Sequence, residues 1–447
     1  MSSLKDRYWR SVEDLTGTPE FRDWMHREFP EGASEVVPGD DRRQFLKVMG
    51  ASFALAGLGV AGCRRWPETN IVPAANQPPN RIPGDPVYYA TAWEFAGCAQ
   101  PMLAKSFDGR PIKLEPNPTH PFGGAGLASS AQAQVLALYD PDRSRTVLSR
   151  GTRSTYPQFA SFFATKSAAL RASQGKGLAI IGEYRSGPTH ADLLAKVAAT
   201  LPGATVVAWE PLNRDNVSEG TALAFGSPRR VINRFDKASV IVSLGDDFLY
   251  STPLAAQWAH QWSMGRAVEA KDPSKQQITR LYCADAGLSL TGMNADERLA
   301  VRPSAIVYVA ALLAQAIDAG HGDAALRAAI DAAANSPAAQ ALKQGKGGAF
   351  VAAIVSDLNH HKGRALLTAG DDASPLTHAI IVACNHALGN VGSTVAYHAE
   401  PVAPSAARFA ALVAQMQAGA IDTLLILGGN PVYDAPSDLN FSAAAGS

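Results

Sequence analysis

From about residue 175 onward, short apolar runs alternate with amphipathic stretches of helical period. The runs at 178–181, 205–209, 239–244 and 279–283 are 4–6 residues long and rich in Val, Ile and Leu, the size and content of buried strands. Residues 182–187 form a turn. Residues 188–200 repeat apolar positions at helical spacing, and Pro188 stands at the first helical position, where its missing N–H costs nothing. This alternation is the signature of a parallel, doubly wound sheet. A second pass begins near Arg364: a strand at 365–368, a helix over 375–388, and a strand at 423–427 that ends on Gly428-Gly429-Asn430-Pro431. The passes echo each other. The segments 181–190 and 368–378 both run from a strand end through Gly to Pro and His, and Leu244-Gly245-Asp246-Asp247 resembles Leu427-Gly428-Gly429-Asn430. An internal pseudo-repeat of two α/β units follows.

Upstream the period changes to two. Residues 87–92, 102–107 and 111–115 read as strands, and Asp108-Gly109 between the last two is a hairpin signal. Residues 136–149 cross toward the next unit. The fold class expected is α/β, with a small β-rich unit followed by two doubly wound, Rossmann-like units. The expected divisions are a polar leader (1–41), a sorting segment (42–63), an extended linker with six prolines (64–86), the β-rich unit (87–150), and α/β units over 151–363 and 364–447. Residues 434–447 offer no closing strand or helix, so the second unit reads as incomplete and the chain as the front part of a longer protein.

Composition narrows the partners. Lys plus Arg and Asp plus Glu both number 40, and a net charge of zero gives no footprint for nucleic acid. The four cysteines, Cys63, Cys98, Cys283 and Cys384, lie far apart with no CxxC pair, unlike a zinc or iron–sulfur ligand set. Cys283 and Cys384 sit in apolar runs and read as small core residues.

The N-terminus reads as a sorting device. Asp41-Arg42-Arg43-Gln44-Phe45-Leu46-Lys47 precedes a weakly apolar stretch from Val48 to Gly62. Arg42, Arg43, Phe45 and Leu46 stand where a twin-arginine (Tat) export signal needs them. The stretch is short of the ~20 residues that span a bilayer. Val60-Ala61-Gly62-Cys63 resembles a lipobox, which would place a lipid on Cys63. The expected location is the periplasmic face of the inner membrane.

Three blocks carry a family resemblance. They are Asp108-Gly109-Arg110-Pro111 through Asn117-Pro118-Thr119-His120-Pro121, followed by Tyr139-Asp140-Pro141-Asp142-Arg143; Phe225-Gly226 through Leu244-Gly245-Asp246-Asp247; and Gly428-Gly429-Asn430-Pro431. The sequence resembles the dimethyl-sulfoxide-reductase-type molybdopterin oxidoreductases over about 87–447. That family holds an iron–sulfur cluster with cysteines in its first unit; here Cys98 stands alone, and 126–129 lacks the downstream one. The molybdenum ligand of the family falls in 210–216, which has no cysteine; Asp215 is the carboxylate there. The pattern is similar to the emptied molybdopterin-like, iron–sulfur subunit of alternative complex III, a respiratory quinol:acceptor oxidoreductase. The resemblance implies no catalytic residue, no molybdopterin and no metal in this region, with iron–sulfur clusters in a later C-terminal part. It implies a multihaem cytochrome c and polytopic quinol-binding membrane subunits as partners. The competing readings are a catalytic molybdenum bis-pterin subunit of polysulfide- or thiosulfate-reductase type, and a stand-alone exported binding protein.

Individual candidates are few. Asp246 and Asp247 follow a strand end, and Gly428, Gly429 and Asn430 follow another, so together they are the candidates for a vestigial nucleotide pocket. His120 reads as a structural turn histidine. His360-His361 lies in a polar turn without further ligands.

Overall fold

A computed structural model describes residues 84–122, 126–268, 278–320, 323–400 and 403–446, with isolated positions 12, 16, 18–21, 23, 50 and 82 before them. The chain divides into two units, Met1–Pro79 and Asn80–Ser447. In the first, Thr18 accepts a hydrogen bond from the Phe21 amide at 3.3 Å, the start of a helical turn. Arg42, Arg43, Phe45, Leu46 and Cys63 lie outside the described residues, as does most of 64–86.

The second unit opens with three antiparallel strands: β1 (Val87–Phe95), β2 (Cys98–Phe107) and β3 (Arg110–Pro116). Asp108 and Gly109 take φ of 50° and 78° between β2 and β3, the positive pair a tight hairpin requires. Helix α1 (Ser129–Ala137) covers this sheet, burying Ala131 against Met102 and Leu114.

The α/β part then runs α2 (Tyr156–Ala172), β4 (Leu178–Glu183), α3 (Pro188–Thr200), β5 (Thr205–Trp209), α4 (Asp215–Phe225), β6 (Arg229–Asn233), β7 (Val240–Leu244), α5 (Ala255–Met264), β8 (Arg280–Asp285) and β9 (Glu297–Ala300). It continues with α6 (Ile306–Ala316), α7 (Ala324–Ala334), α8 (Pro337–Gln344), α9 (Lys346–His360), β10 (Ala365–Ala369), α10 (Pro375–Ala387), β11 (Val395–Ala399), α11 (Ala406–Gln417), β12 (Thr423–Leu427) and α12 (Phe441–Gly446). One parallel sheet has the order β9-β8-β7-β10, a second the order β12-β4-β5, and β11 pairs antiparallel with β6. All five residues of β7 are buried, as expected for a central parallel strand covered on both faces.

Strand pairing crosses the expected boundary at 363/364 three times. β10 pairs with β7, aligning Ala365 with Val240, β11 pairs with β6, aligning Val395 with Asn233, and β12 pairs with β4, aligning Thr423 with Leu178. The two α/β units expected in succession are therefore interleaved. Apolar runs identify strands, but the partner of an edge is chosen by long-range packing that sequence order does not encode.

The end of the described chain also departs from expectation. One-turn helices at Pro431–Asp434 and Ser437–Leu439 lead into α12. Phe441 is buried and stacks on Phe409 at 5.6 Å, and Phe409 stacks on Trp209 at 4.2 Å. Six residues are too few to show a helical period, so the pattern of apolar positions does not reveal this short helix.

Candidate functional site

A cavity of about 370 Å³ opens beyond the C-terminal ends of β7 and β10, the position where open α/β sheets place ligand sites. Two close approaches build it. A Cβ on Gly370 would fall 2.2 Å from the Gly245 carbonyl oxygen, so the loops after β7 and β10 touch backbone to backbone. A Cβ on Gly220 would fall 2.4 Å from the His378 Cβ, so α4 and α10 cross with no side chain between them. Ser374 caps α10 through the Thr377 amide, and Pro375 starts the helix. His378 is thereby fixed in its first turn, facing the cavity.

The polar lining is mixed in charge. Arg214, just before α4, pairs with Asp371 at 2.9 Å and lies 4.0 Å from the Cys98 sulfur. Burial works against the Arg214 charge, but Asp371 holds the guanidinium above its ordinary value. Arg230 on β6 donates to the Gly97 carbonyl at 2.8 Å and to the Tyr184 hydroxyl at 2.6 Å, and faces Glu400 at 3.6 Å. Asp246 accepts from the Thr368 hydroxyl at 2.5 Å; burial pushes its pKa up to about 7, with Asp371 adding to the rise. Burial also raises Glu400 to about 7 and lowers His378 to about 4. At neutral pH the imidazole is uncharged, and the two carboxyls sit near their midpoints.

Three groups at this cavity keep buried polar atoms without a partner among the described residues: Arg229 Nε, Asn233 Oδ1 and His378 Nε2. Each is a hydrogen-bonding position open to water or a ligand. A second cavity, of about 540 Å³, lies at the ends of β4, β5 and β12 and is lined by Glu94, Glu183, Trp209, Glu210 and Asp434. Burial, then Glu183 and Asp434, raise Glu210 to about 7.

The nucleotide-pocket candidates do not converge. Asp246 lines the first cavity, and Gly428 and Gly429 line the second. Asp247 accepts from the Thr291 amide at 2.8 Å and serves a short helix. The Asn430 carbonyl accepts from the Tyr433 and Asp434 amides. Asp215 accepts from the Ala406 amide at 2.7 Å and caps α11. His120 accepts from the Phe122 amide, a turn contact. His360 and His361 bond carbonyls of their own helix. Cys283 and Cys384 are buried. Sequence reasoning passes over Arg214, Asn233, Asp371 and His378. The repeat between 181–190 and 368–378 brings Asp371 and His378 into view without giving them a role.

No protein-family profile matches the chain. The chain is similar to the molybdopterin-binding-like subunit of menaquinone reductase from Nitratidesulfovibrio vulgaris. They are 25% identical over a 443-residue alignment that covers 90% of this chain and 61% of the relative. The chain thus spans about three fifths of the length of the curated relative it matches. Among solved structures, acetylene hydratase from Pelobacter acetylenicus aligns with a TM-score of 0.44 and 14% identity, covering 68% of this chain and 42% of that one. The curated relative supports the resemblance to molybdopterin oxidoreductases at the level of the superfamily.

Proposed function

We propose that the chain is a subunit of a membrane-bound respiratory quinone oxidoreductase, built on a molybdopterin-oxidoreductase-like scaffold and performing no molybdenum chemistry of its own. The kinship with a menaquinone reductase subunit supports the quinone-linked role. The observation that carries the non-catalytic role is the contact of Arg214 with Asp371 and Cys98.

A protein ligand to a pterin-bound molybdenum would be an anionic or thiolate side chain facing the cavity. The segment after β5 supplies none to the first cavity, and its Glu210 faces the second. Asp215 is turned onto the α11 amide, and Arg214 places a guanidinium beside the first cavity. Its pairing with Asp371 engages the carboxylate nearest to that segment. Cys98 borders the same guanidinium, and burial holds its thiol above the ordinary pKa despite the arginines, against thiolate formation. These contacts support the reading that the described residues hold no metal of their own here.

In finer detail, the chain is the molybdopterin-like, iron–sulfur subunit of alternative complex III. It is exported through Arg42, Arg43, Phe45 and Leu46, lipidated at Cys63, and assembled at the periplasmic face with a multihaem cytochrome c and polytopic quinol-binding subunits. Electron transfer runs through clusters and haems outside the region described. Elemental analysis of the natively purified complex tests this. Molybdenum well below one atom per chain, with a c-type cytochrome and a polytopic subunit in the same particle, is expected. Stoichiometric molybdenum would instead make the chain the catalytic bis-pterin subunit of a polysulfide- or thiosulfate-reductase-like enzyme.

A further inference from the structure

Residues 143–182 carry seven cations, Arg143, Arg145, Arg150, Arg153, Lys166, Arg171 and Lys176, and no acidic residue. All seven are exposed, and none has an ion-pair partner among the described residues. The rest of the chain carries the compensating acidic excess, so this stretch is strongly one-signed.

The same segment exposes its apolar side chains. None of the 17 residues of α2 is buried. Tyr156 is 71% exposed, Phe159 42%, Phe162 61% and Phe163 44%. At about 100° per residue these four rings fall within an arc of about 120°. The rings meet in sequence: Tyr156 lies tilted against Phe159 at 6.2 Å, and Phe159 stacks on Phe163 at 5.7 Å. The opposite face is small and carries Ser161, Ala164, Thr165 and Ala168.

A short hairpin, Leu148–Ser149 paired with Thr152–Arg153, is joined rigidly to the start of this helix. The Ser154 amide donates to the Val147 carbonyl at 2.8 Å, and the Gln158 side chain accepts from the Ser154 hydroxyl and the Thr155 amide. Leu148, at 61% exposure, and Arg150 and Arg153 are carried on the hairpin. Lys166 reaches Thr423 at 3.4 Å and ties the helix to β12. Hairpin and helix together present aromatic rings flanked by arginines.

We propose that this hairpin–helix element, residues 147–172, seats on an anionic phospholipid surface. Aromatic rings are favoured at the headgroup level of a bilayer, and phosphate charge complements an unbroken run of cations. A convex helix with no acidic residue lacks the mixed charge and the groove that would point to a protein partner. No helix of the described residues is long and apolar enough to cross a membrane, so contact is in the plane of the interface.

Co-sedimentation of the purified full chain with phosphatidylglycerol–phosphatidylcholine vesicles tests this, alongside vesicles of phosphatidylcholine alone. Two variants change exposed side chains only: Phe159→Ser/Phe162→Ser/Phe163→Ser, and Arg145→Gln/Arg150→Gln/Arg153→Gln. The wild type is expected to prefer the anionic vesicles, and each variant to lose roughly ten-fold or more of that partition. Hydrogen exchange of 147–172 is expected to slow on the anionic vesicles. Three results would overturn the proposal: no binding of the wild type to anionic vesicles; binding that both variants retain in full, which assigns it to the apolar stretch at 48–62; or protection of 147–172 by a protein subunit but not by vesicles.

Discussion

Arg214 Nε and Asp371 Oδ2 meet at 2.9 Å across 157 residues of sequence. The pair joins the segment after β5 to the loop after β10, and the Cys98 sulfur lies on its far side. Arg214→Met is expected to cost about 1–2 kcal/mol, because Asp371 is left beside burial-raised carboxyls without its cation. It is also expected to slow alkylation of Cys98, since Arg214 is the largest influence lowering that thiol's pKa. Urea unfolding and thiol-labelling kinetics read the two effects separately; unchanged labelling would detach Cys98 from the pair.

Asp246 gives the fold a pH dependence. Its folded pKa of about 7 stands above the ordinary 3.8, so the folded state binds the extra proton. The stabilisation this provides is complete below the unfolded value and is lost as pH rises through about 7. Asp246→Asn removes that loss. The variant's urea midpoint is expected to rise relative to wild type between pH 5 and pH 8, and an unchanged difference would mean that Asp246 titrates normally.

His378 acts with the opposite sign. Its pKa is depressed to about 4, so stability is lost as pH falls from about 6.5 through 4. His378→Gln is expected to weaken that acid-side loss while leaving the alkaline side unchanged, as measured by unfolding at pH 4.5 and pH 8.

The close approaches that build the cavity are open to test. Gly370→Ala would drive a methyl into the Gly245 carbonyl, and Gly220→Ala into Pro375 and His378. Each is expected to cost about 2–4 kcal/mol. Gly187→Ala meets nothing within 4 Å and is the control, expected to shift the midpoint by less than ~0.5 kcal/mol.

Phe441 decides whether the short helices after β12 belong to the core. It is 2% exposed and stacked on Phe409. Phe441→Ala is expected to cost about 3 kcal/mol. A change below ~0.5 kcal/mol would show that α12 is peripheral.

The amino-acid pattern by itself determined the elements. α3 at Pro188–Thr200, β5 at Thr205–Trp209 and β12 at Thr423–Leu427 run where helical period and apolar runs place them, because burial of a side-chain stripe is a local, periodic demand. The Asp108-Gly109 hairpin followed from backbone sterics in the same way. The tertiary structure alone decided which strands pair, and hence which residues meet. Bringing β10 beside β7 and β12 beside β4 depends on which edges are left open once the chain has collapsed. That pairing separated Asp246 from Gly428 and brought Arg214, Asp371 and His378 to one cavity. The side chains of a site answer to distances across the fold, and no spacing along the sequence encodes them.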